Sequence, residues 1–181
     1  MTWHKYDEKV ITIKDGDMLT VTDPCYDDDA SCNTKVHLPV GDYECFYEEE
    51  DEGDWGFRIK RCAIAPRGTT PFWVENPDAK HLHDSVGVDA GLCGFFVNKP
   101  DYSDAAWEKF CDDLDFDSNA FHTDEGFFTS SGYGDGEYNV FLLDVHGGVG
   151  VMIEFIPDYE EEDEDEDDWN YEDEDEDEDE E

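Results

Sequence analysis

The last 24 residues of the chain, Asp158 to Glu181, contain 20 Asp or Glu residues and no Lys or Arg. A run of like charges repels itself and has no apolar surface whose burial would offset the entropy lost on ordering. The sequence therefore predicts a disordered polyacidic tail at residues 158–181. Folding is left to residues 1–157, a length that suits one strand-rich domain with its own core.

The predicted domain is itself strongly acidic. Residues 1–157 hold 33 of the 53 Asp and Glu residues and all 11 Lys and Arg residues, which leaves a formal net charge of about −22. Binding to a phosphate backbone depends on Lys and Arg side chains that displace counterions. We therefore expect no direct contact with nucleic acid. So large a net charge also favours a monomer, because copies of the chain repel one another.

The chain carries no sign of export or of a membrane span. Its N-terminus has no apolar run behind a basic start, so it does not match a secretory signal. No stretch approaches the 18 uncharged apolar residues that suggest a membrane-spanning helix. We expect a cytoplasmic protein that does not bind membranes.

The six cysteines follow no metal-binding or redox spacing, since no C-x-x-C pair is present. In a protein without an export signal they are predicted to be reduced thiols, several of them packed as small buried side chains. A zinc site remains the alternative. The cysteines are Cys25, Cys32, Cys45, Cys62, Cys93 and Cys111.

Three segments show the alternation and the turn residues of β-hairpins. In the first, residues 11–14 and 19–22 alternate on either side of Asp15-Gly16. In the third, residues 138–145 and 149–156 flank Gly147-Gly148. There we expect Phe141, Leu143 and Val145 to lie opposite Val149, Val151, Ile153 and Phe155.

The second hairpin is predicted to carry an aromatic face on each strand, with an acidic loop from Glu48 to Asp54 between them. The two faces are Tyr43, Cys45 and Tyr47 on one strand, and Trp55, Phe57 and Ile59 on the next. The segment that follows, residues 63–85, contains several Pro and Gly residues and is predicted to be an irregular, exposed connection.

One helix is predicted to begin near Ser103, which can cap it. Trp107, Phe110, Cys111 and Leu114 follow at helical spacing and form one apolar stripe, which we expect to face the core. Several hairpins and one short helix predict an α+β domain that is mainly β. We expect antiparallel hairpins that form a sheet or a partly open barrel, with one helix packed against it.

Three motifs stand out along the chain: Thr22-Asp-Pro-Cys-Tyr26, Val86-Gly-Val-Asp-Ala-Gly-Leu-Cys-Gly-Phe-Phe96 and Ser130-Ser-Gly-Tyr-Gly-Asp-Gly-Glu-Tyr138. Together they resemble an uncharacterised family of bacterial and phage-associated domains of unknown function. Members of that family carry a V-D-[SA]-G…G-F motif and a later S-G-x-G-D-G-x-Y motif. The resemblance covers scattered blocks between residues 10 and 156 and implies a fold more than an activity. The acidic tail is not part of the family's pattern.

The same motifs supply one candidate ligand site. Three aspartates, Asp23, Asp89 and Asp135, stand at turns where they can converge as oxygen ligands for a hard cation. Glycines beside them let the backbone take positive φ. The alternative is that each Asp only stabilises its own turn. The predicted ligand-binding residues are Asp23, Asp89, Gly91, Gly134, Asp135 and Gly136.

A second candidate cation site follows the predicted helix. Asp113, Asp115 and Asp117 have the spacing that begins an EF-hand calcium loop, and Asp124 stands at its twelfth position. Ser118 replaces the glycine that the loop needs, and no second helix is expected because Gly126-Phe-Phe-Thr has a strand pattern. No cofactor is predicted, and Ca²⁺ or another divalent cation is kept as the alternative.

The tail is the strongest functional signal. Acidic residues interleaved with aromatic rings can present phosphate-like charge together with rings that stack on arginine. The predicted partner-binding residues are Glu160, Glu161, Glu162, Asp163, Asp165, Asp167, Trp169, Tyr171, Asp173 and Asp175. The tail can instead act only to keep the protein soluble, or can shield a basic patch within the molecule.

No nucleophile motif or other catalytic constellation stands out, so the sequence favours a non-enzymatic interaction protein. Its acidic surface and tail would bind a basic protein partner, by a mode that includes mimicry of nucleic acid. The rival interpretation is a domain that binds a small ligand or a divalent cation at the Gly/Asp motifs, with hydrolysis among its potential activities.

Overall fold

A computed structural model describes residues 2–27, 30–69, 79–99, 102, 104–124 and 126–158. Its helix and strands confirm the predicted fold class. In chain order the elements are β1 (Thr2–Ile13), β2 (Leu19–Thr22), β3 (Thr34–Val36), β4 (Gly41–Asp51), β5 (Phe57–Pro66), β6 (Lys80–Val88), β7 (Leu92–Val97), α1 (Asp104–Asp113), β8 (Ala120–His122), β9 (Gly126–Ser130), β10 (Gly136–Val145) and β11 (Gly148–Glu154). A short 3-10 helix, Gly53–Trp55, lies between β4 and β5.

The strands form two open antiparallel sheets. One sheet has six strands in the order β1-β4-β5-β11-β10-β6, and the other has five in the order β3-β2-β7-β9-β8. Residues from both sheets share one buried apolar cluster, so the sheets pack face to face. The six-stranded sheet contributes Ile13, Cys45, Ile64 and Val151 to it, and the five-stranded sheet contributes Val21, Cys93, Phe95 and Phe127.

Helix α1 covers the outer face of the five-stranded sheet. Phe110 and Leu114 of its apolar stripe are buried against Phe96, Phe121 and Phe128. The predicted stripe is therefore buried at Phe110 and at Leu114, just past the helix end, whereas Trp107 and Cys111 are half-buried. The predicted cap, Ser103, lies outside the described residues.

The first predicted hairpin is wrong in its pairing. Lys14 and Asp17 close a turn around Gly16, which has a positive φ of 83°. However, β1 pairs with β4, whereas β2 pairs with β3 and β7 in the other sheet. The turn therefore carries the chain from one sheet to the other. Alternation identified the buried face at the end of β1, whereas both faces of β2 are buried, and it could not identify the partners of either strand.

The second hairpin is confirmed, with different limits. Strand β4 pairs with β5 as far as Asp51, so half of the predicted acidic loop is strand. The turn itself is short, and Trp55 lies in its 3-10 helix. Trp55 and Phe57 are exposed, and of the predicted second aromatic face only Ile59 enters the core.

The third hairpin is also confirmed, and its register differs from the prediction. Phe141 lies opposite Met152, and Leu143 lies opposite Gly150. Phe141 and Leu143 belong to a cluster on the outer face of the six-stranded sheet, whereas Val151 faces the core between the sheets. Both faces of this hairpin are buried, and alternation alone cannot assign the faces of such a hairpin.

The predicted irregular connection at residues 63–85 is wrong at both ends. Strand β5 continues to Pro66 and β6 begins at Lys80, where it pairs with β10 at the sheet edge. Pro66 ends a strand, which is a position that proline tolerates. Among the residues that the structure describes, no helix has both the length and the apolar character needed to cross a bilayer.

Candidate functional site

Asp23 holds two turns together from a fully buried position. Its side chain is 0 % exposed. Oδ1 accepts the backbone N–H of Cys25 at 2.8 Å, and Oδ2 accepts those of Asp89 and Ala90 at 2.9 and 2.7 Å. The carboxylate thus joins the end of β2 to the turn between β6 and β7. Both of its oxygens are already engaged by backbone donors.

The turn between β9 and β10 is closed by its own groups. Ser131 and Gly134 form a backbone hydrogen bond of 2.9 Å, and the Tyr138 hydroxyl donates to both carbonyl oxygens of the pair. Gly132 and Gly134 have positive φ values of 60° and 111°. Gly136 lies against the ring of Tyr138. These glycines permit the turn's backbone path.

We expect Gly132→Ala to lower the free energy of unfolding by about 2 kcal/mol. The φ of 60° is unfavourable for alanine, and the new Cβ would lie 3.0 Å from Cβ of Phe155 and 3.2 Å from Cγ1 of Ile156. Gly16→Ala is the matched control, because Gly16 has a φ of 83° but no atom within 4 Å of an added Cβ. Urea unfolding of both variants measures the difference. Equal losses would exclude a contribution from the Phe155 and Ile156 contacts.

The turns that carry the three motif aspartates are neighbours, since Asp23 accepts the Asp89 N–H and Ser131 donates to Gly91. Burial raises the pKa of the Tyr26 hydroxyl, and the charges of Asp23, Asp89 and Asp135 raise it further. Asp89 and Asp135 are exposed. The part of the chain that the structure describes contains no group of three or more His, Cys, Asp or Glu side chains arranged to hold a metal ion. The contacts of Asp23 favour turn stabilisation over metal binding.

The two glycine-rich turns are neighbours. The backbone N–H of Ser131 donates to the carbonyl oxygen of Gly91 at 3.1 Å, and a Cβ on Gly91 would lie 4.0 Å from Cα of Gly134. The glycines therefore allow two turns to pack against each other. The ligand-binding role predicted for these motifs stays a prediction.

The predicted calcium loop is organised by Asp115. Its carboxylate accepts the backbone N–H of Asp117 and of Ser118 and the Ser118 hydroxyl. The Ser118 hydroxyl and these backbone groups lower the pKa of Asp115. The Asp124 carbonyl oxygen accepts from Lys9 Nζ at 3.1 Å, and the side chain of Asp113 lies outside the described residues. A cation site here stays a prediction.

Two of the open clefts in the described part of the chain have no motif aspartate in their lining. One, of about 510 Å³, lies between α1 and β8 and is lined by Lys109, His122 and Asp124 among others. The other, of about 390 Å³, is lined by Cys32, Ser85 and Glu137 among others. Neither is lined by Asp23, Asp89 or Asp135, although Gly87 and Glu137 of the two longer motifs line the second cleft.

The cysteines are free thiols in the structure. Burial raises the pKa of Cys25 and of Cys45 to about 12. Cys62 and Cys93 are buried in the core, and their pKa values are raised well above the ordinary value by the same cause. At neutral pH these four side chains are protonated, and they occupy space as small hydrophobic groups do.

Three of the 11 basic residues are buried, and several others pair with carboxylates at the surface. All 11 lie within the described part of the chain, and Lys60, Arg61 and Lys99 are buried. Arg61 donates to Glu48 at 2.9 Å and to Glu154 at 3.0 Å. Lys5, Arg67 and Lys80 also form ion pairs with carboxylates. The positive charges of these ion pairs are therefore neutralised locally, and many acidic residues remain at the surface.

The first residue of the predicted tail, Asp158, belongs to the ion-pair cluster around Arg61. Asp158 Oδ1 lies 2.9 Å from Lys60 Nζ, and its other oxygen contacts Arg61. Burial alone would raise the pKa of Asp158, but Lys60 and Arg61 outweigh it and hold that pKa below its ordinary value. The contacts of the fold thus include residue 158, one residue beyond the predicted domain end.

Three exposed aromatic rings stand at the tip of the β4–β5 hairpin. We call Trp55, Phe57 and Tyr133 the tip patch; they are 68 %, 65 % and 53 % exposed. The rings of Trp55 and Tyr133 meet edge to face at 6.4 Å. The Tyr133 hydroxyl donates to Glu52 Oε2 at 2.6 Å, which ties the β9–β10 turn to the hairpin.

The sequence prediction did not identify the tip patch. It placed Trp55 and Phe57 on one face of a strand together with Ile59, and assigned Tyr133 no role. The nearby signal was the pair of glycines around Asp54-Trp55, because Gly53 and Gly56 take positive φ and end the hairpin with Trp55 outside the core. The tail residues predicted to bind a partner, residues 160–175, lie outside the described residues.

Comparisons of the chain with protein-family models, with curated proteins and with solved structures find no match.

Proposed function

We propose that this protein is a non-enzymatic interaction protein whose anionic surface and acidic tail bind a basic protein partner. The observation that carries the proposal is the placement of the positive charges. Lys60 and Arg61 are buried beneath carboxylates, and at least five of the 11 basic residues in the described part of the chain form ion pairs with Asp or Glu. Such a surface attracts basic proteins and repels anionic ones.

The tail extends the same charge beyond the fold. It begins at Asp158, beside Lys60 and Arg61, and adds 20 acidic residues at 158–181. A linear array of negative charge competes with nucleic acid for the same basic sites. We propose that the partner is a nucleic-acid-binding protein and that the full chain displaces its ligand.

A truncated protein that ends at Asp158 should bind a basic probe at least about tenfold more weakly than the full chain at low salt. Keeping Asp158 preserves its contacts with Lys60 and Arg61. Protamine, an arginine-rich DNA-binding protein, serves as the probe, and calorimetry at several salt concentrations gives the affinity. We expect the slope of log K against log salt to fall when the tail is removed.

The matched control keeps the length of the tail and replaces its Asp and Glu residues by Asn and Gln. We expect it to bind as weakly as the truncated protein, because charge rather than chain length supplies the affinity. Displacement of duplex DNA from protamine measures the mimicry directly. An affinity that does not change with salt concentration, or that stays the same when the tail is removed, would contradict the proposal.

A further inference from the structure

The tip patch is held in place by the turn that presents it. The backbone N–H of Glu52 donates to the carbonyl oxygen of Gly56 at 3.0 Å, and that of Gly53 donates to Asp51 Oδ1 at 3.0 Å. Exposing large aromatic rings loses the free energy that their burial would supply. A group of exposed aromatic rings on an ordered turn therefore indicates a surface that binds a partner.

The charges around the tip patch determine which kind of partner can bind there. Residues 41–57 contain no Lys or Arg, Asp51 ends β4, and Glu52 and Asp54 lie in the turn itself. The nearest cation in sequence, Arg58, lies opposite Glu50 on β4. Rings bordered by carboxylates favour a cation that can stack on a ring and bind a carboxylate at once.

Other occupants fit this surface poorly. A second copy of the chain brings its own formal charge of −42, which opposes contact between acidic hairpin tips. The acidic tail is repelled for the same reason. A purely apolar partner would bury the carboxylates of Glu52 and Asp54 without a counter-charge, which is costly.

We propose that the tip patch binds arginine side chains of an arginine-rich segment in the basic partner. This inference rests on the proposed function and specifies the chemistry of its partner. A guanidinium group is planar, stacks on Trp and Tyr rings and donates in pairs to a carboxylate, whereas the lysine ammonium is a strongly hydrated point charge. Trp55 supplies the ring that favours such stacking most, and Glu52 supplies the carboxylate.

The root of the tail lies near the tip patch. Phe57 and Lys60 are three residues apart on β5, which corresponds to about 10 Å along a strand. Lys60 contacts Asp158, where the tail begins. A basic segment seated on the tip patch is therefore within reach of the tail's charge.

The test compares two peptides that differ only in their cation, one with six Arg-Gly-Ser repeats and one with six Lys-Gly-Ser repeats. We expect the full-length protein to bind the arginine peptide about fivefold more tightly, since one exposed cation–π contact is worth roughly two- to fivefold. The chain has five tryptophans. The indole N–H signal of Trp55, assigned with Trp55→Phe, should shift in an NMR titration with the arginine peptide.

In Trp55→Ala the preference for arginine should fall to less than twofold, while the salt-dependent binding of both peptides remains. Leu82→Ala is the matched control, because Leu82 is 65 % exposed on β6, at the far edge of the same sheet. It should leave the preference unchanged. Thermal melts of both variants should match the parent protein, since neither side chain is in the core.

The outcomes separate the two proposals. If both peptides bind and Trp55→Ala keeps the fivefold preference, the tip patch is not the arginine site and the proposed function stands. Equal binding of the two peptides by the parent protein leads to the same conclusion. If neither peptide binds at low salt, the proposed function fails as well.

Discussion

Asp23→Asn should lower the free energy of unfolding by about 3 kcal/mol. The carboxylate accepts three backbone hydrogen bonds, from Cys25 through one oxygen and from Asp89 and Ala90 through the other. An asparagine amide has one oxygen, so its NH₂ group would face at least one backbone donor. The site is fully buried, so bulk solvent does not replace the lost acceptor. Urea unfolding followed by circular dichroism measures the effect.

Asp135→Asn is the matched control for Asp23→Asn. Asp135 belongs to the same end of the molecule and to the same predicted site, but its side chain is exposed. We expect a change of less than about 0.5 kcal/mol, as for most surface substitutions. A loss below about 1 kcal/mol for Asp23→Asn would contradict the structural role of Asp23 and would revive the ligand-binding interpretation of the motif.

Arg61→Met should lower the free energy of unfolding by about 4 kcal/mol, because removing one partner of a buried ion pair leaves an uncompensated charge. Arg61 contacts Glu48, Glu154 and Asp158, and Glu48 is 0 % exposed. The Glu48 Oε1 atom already has no hydrogen-bond partner within the described residues. Arg67→Met is the exposed control: its ion pair with Asp42 is 3.7 Å long, and its loss should be nearly neutral.

The effect of Arg61→Met should shrink as the pH falls from about 7 to about 5. Burial raises the pKa of Glu48 above its ordinary value, and Arg61 opposes that rise. Without Arg61 the pKa of Glu48 rises further, so the folded variant binds a proton more tightly than its unfolded chain does. Lowering the pH therefore stabilises the variant more than the parent protein, as long as the pH stays above the pKa of Glu48 in the unfolded chain.

The double variant Arg61→Met with Glu48→Met completes the test. It removes the buried carboxylate together with its cation, and we expect it to recover most of the stability lost in Arg61→Met. Urea unfolding at both pH values gives the comparison. A loss in Arg61→Met that neither acid nor Glu48→Met reduces would show that packing, rather than the buried charge, stabilises this part of the sheet.

Local patterns were enough to predict the elements whose partners are close in sequence. The β4–β5 and β10–β11 hairpins join neighbouring strands through short turns, so alternation and turn residues suffice. The apolar stripe of α1 likewise shows which face is buried. The pairing of β1 with β4 depends on contacts between distant segments, and no local signal distinguishes it from the expected pairing with β2.

The same distinction between local pattern and tertiary structure applies to the candidate sites. Sequence motifs identified Asp23, Asp89 and Asp135 as a group, and the structure does bring them around Tyr26. Only burial separates their roles, since Asp23 is enclosed by backbone donors while Asp89 and Asp135 face solvent. Burial depends on which strands lie on either side of a turn, and the turn's own residues do not encode it.

The sequence by itself determined the charge of this protein and the fact that its last 24 residues are almost wholly acidic. The net charge is a sum over the residues, so it is the same in any fold. Only the tertiary structure decided which charges and rings reach the surface. Strand pairing buries Lys60 and Arg61 against carboxylates and leaves Trp55 outside the core, because exposure depends on long-range neighbours. The anionic surface therefore follows from composition, and the aromatic surface beside it follows from the packing of the sheets.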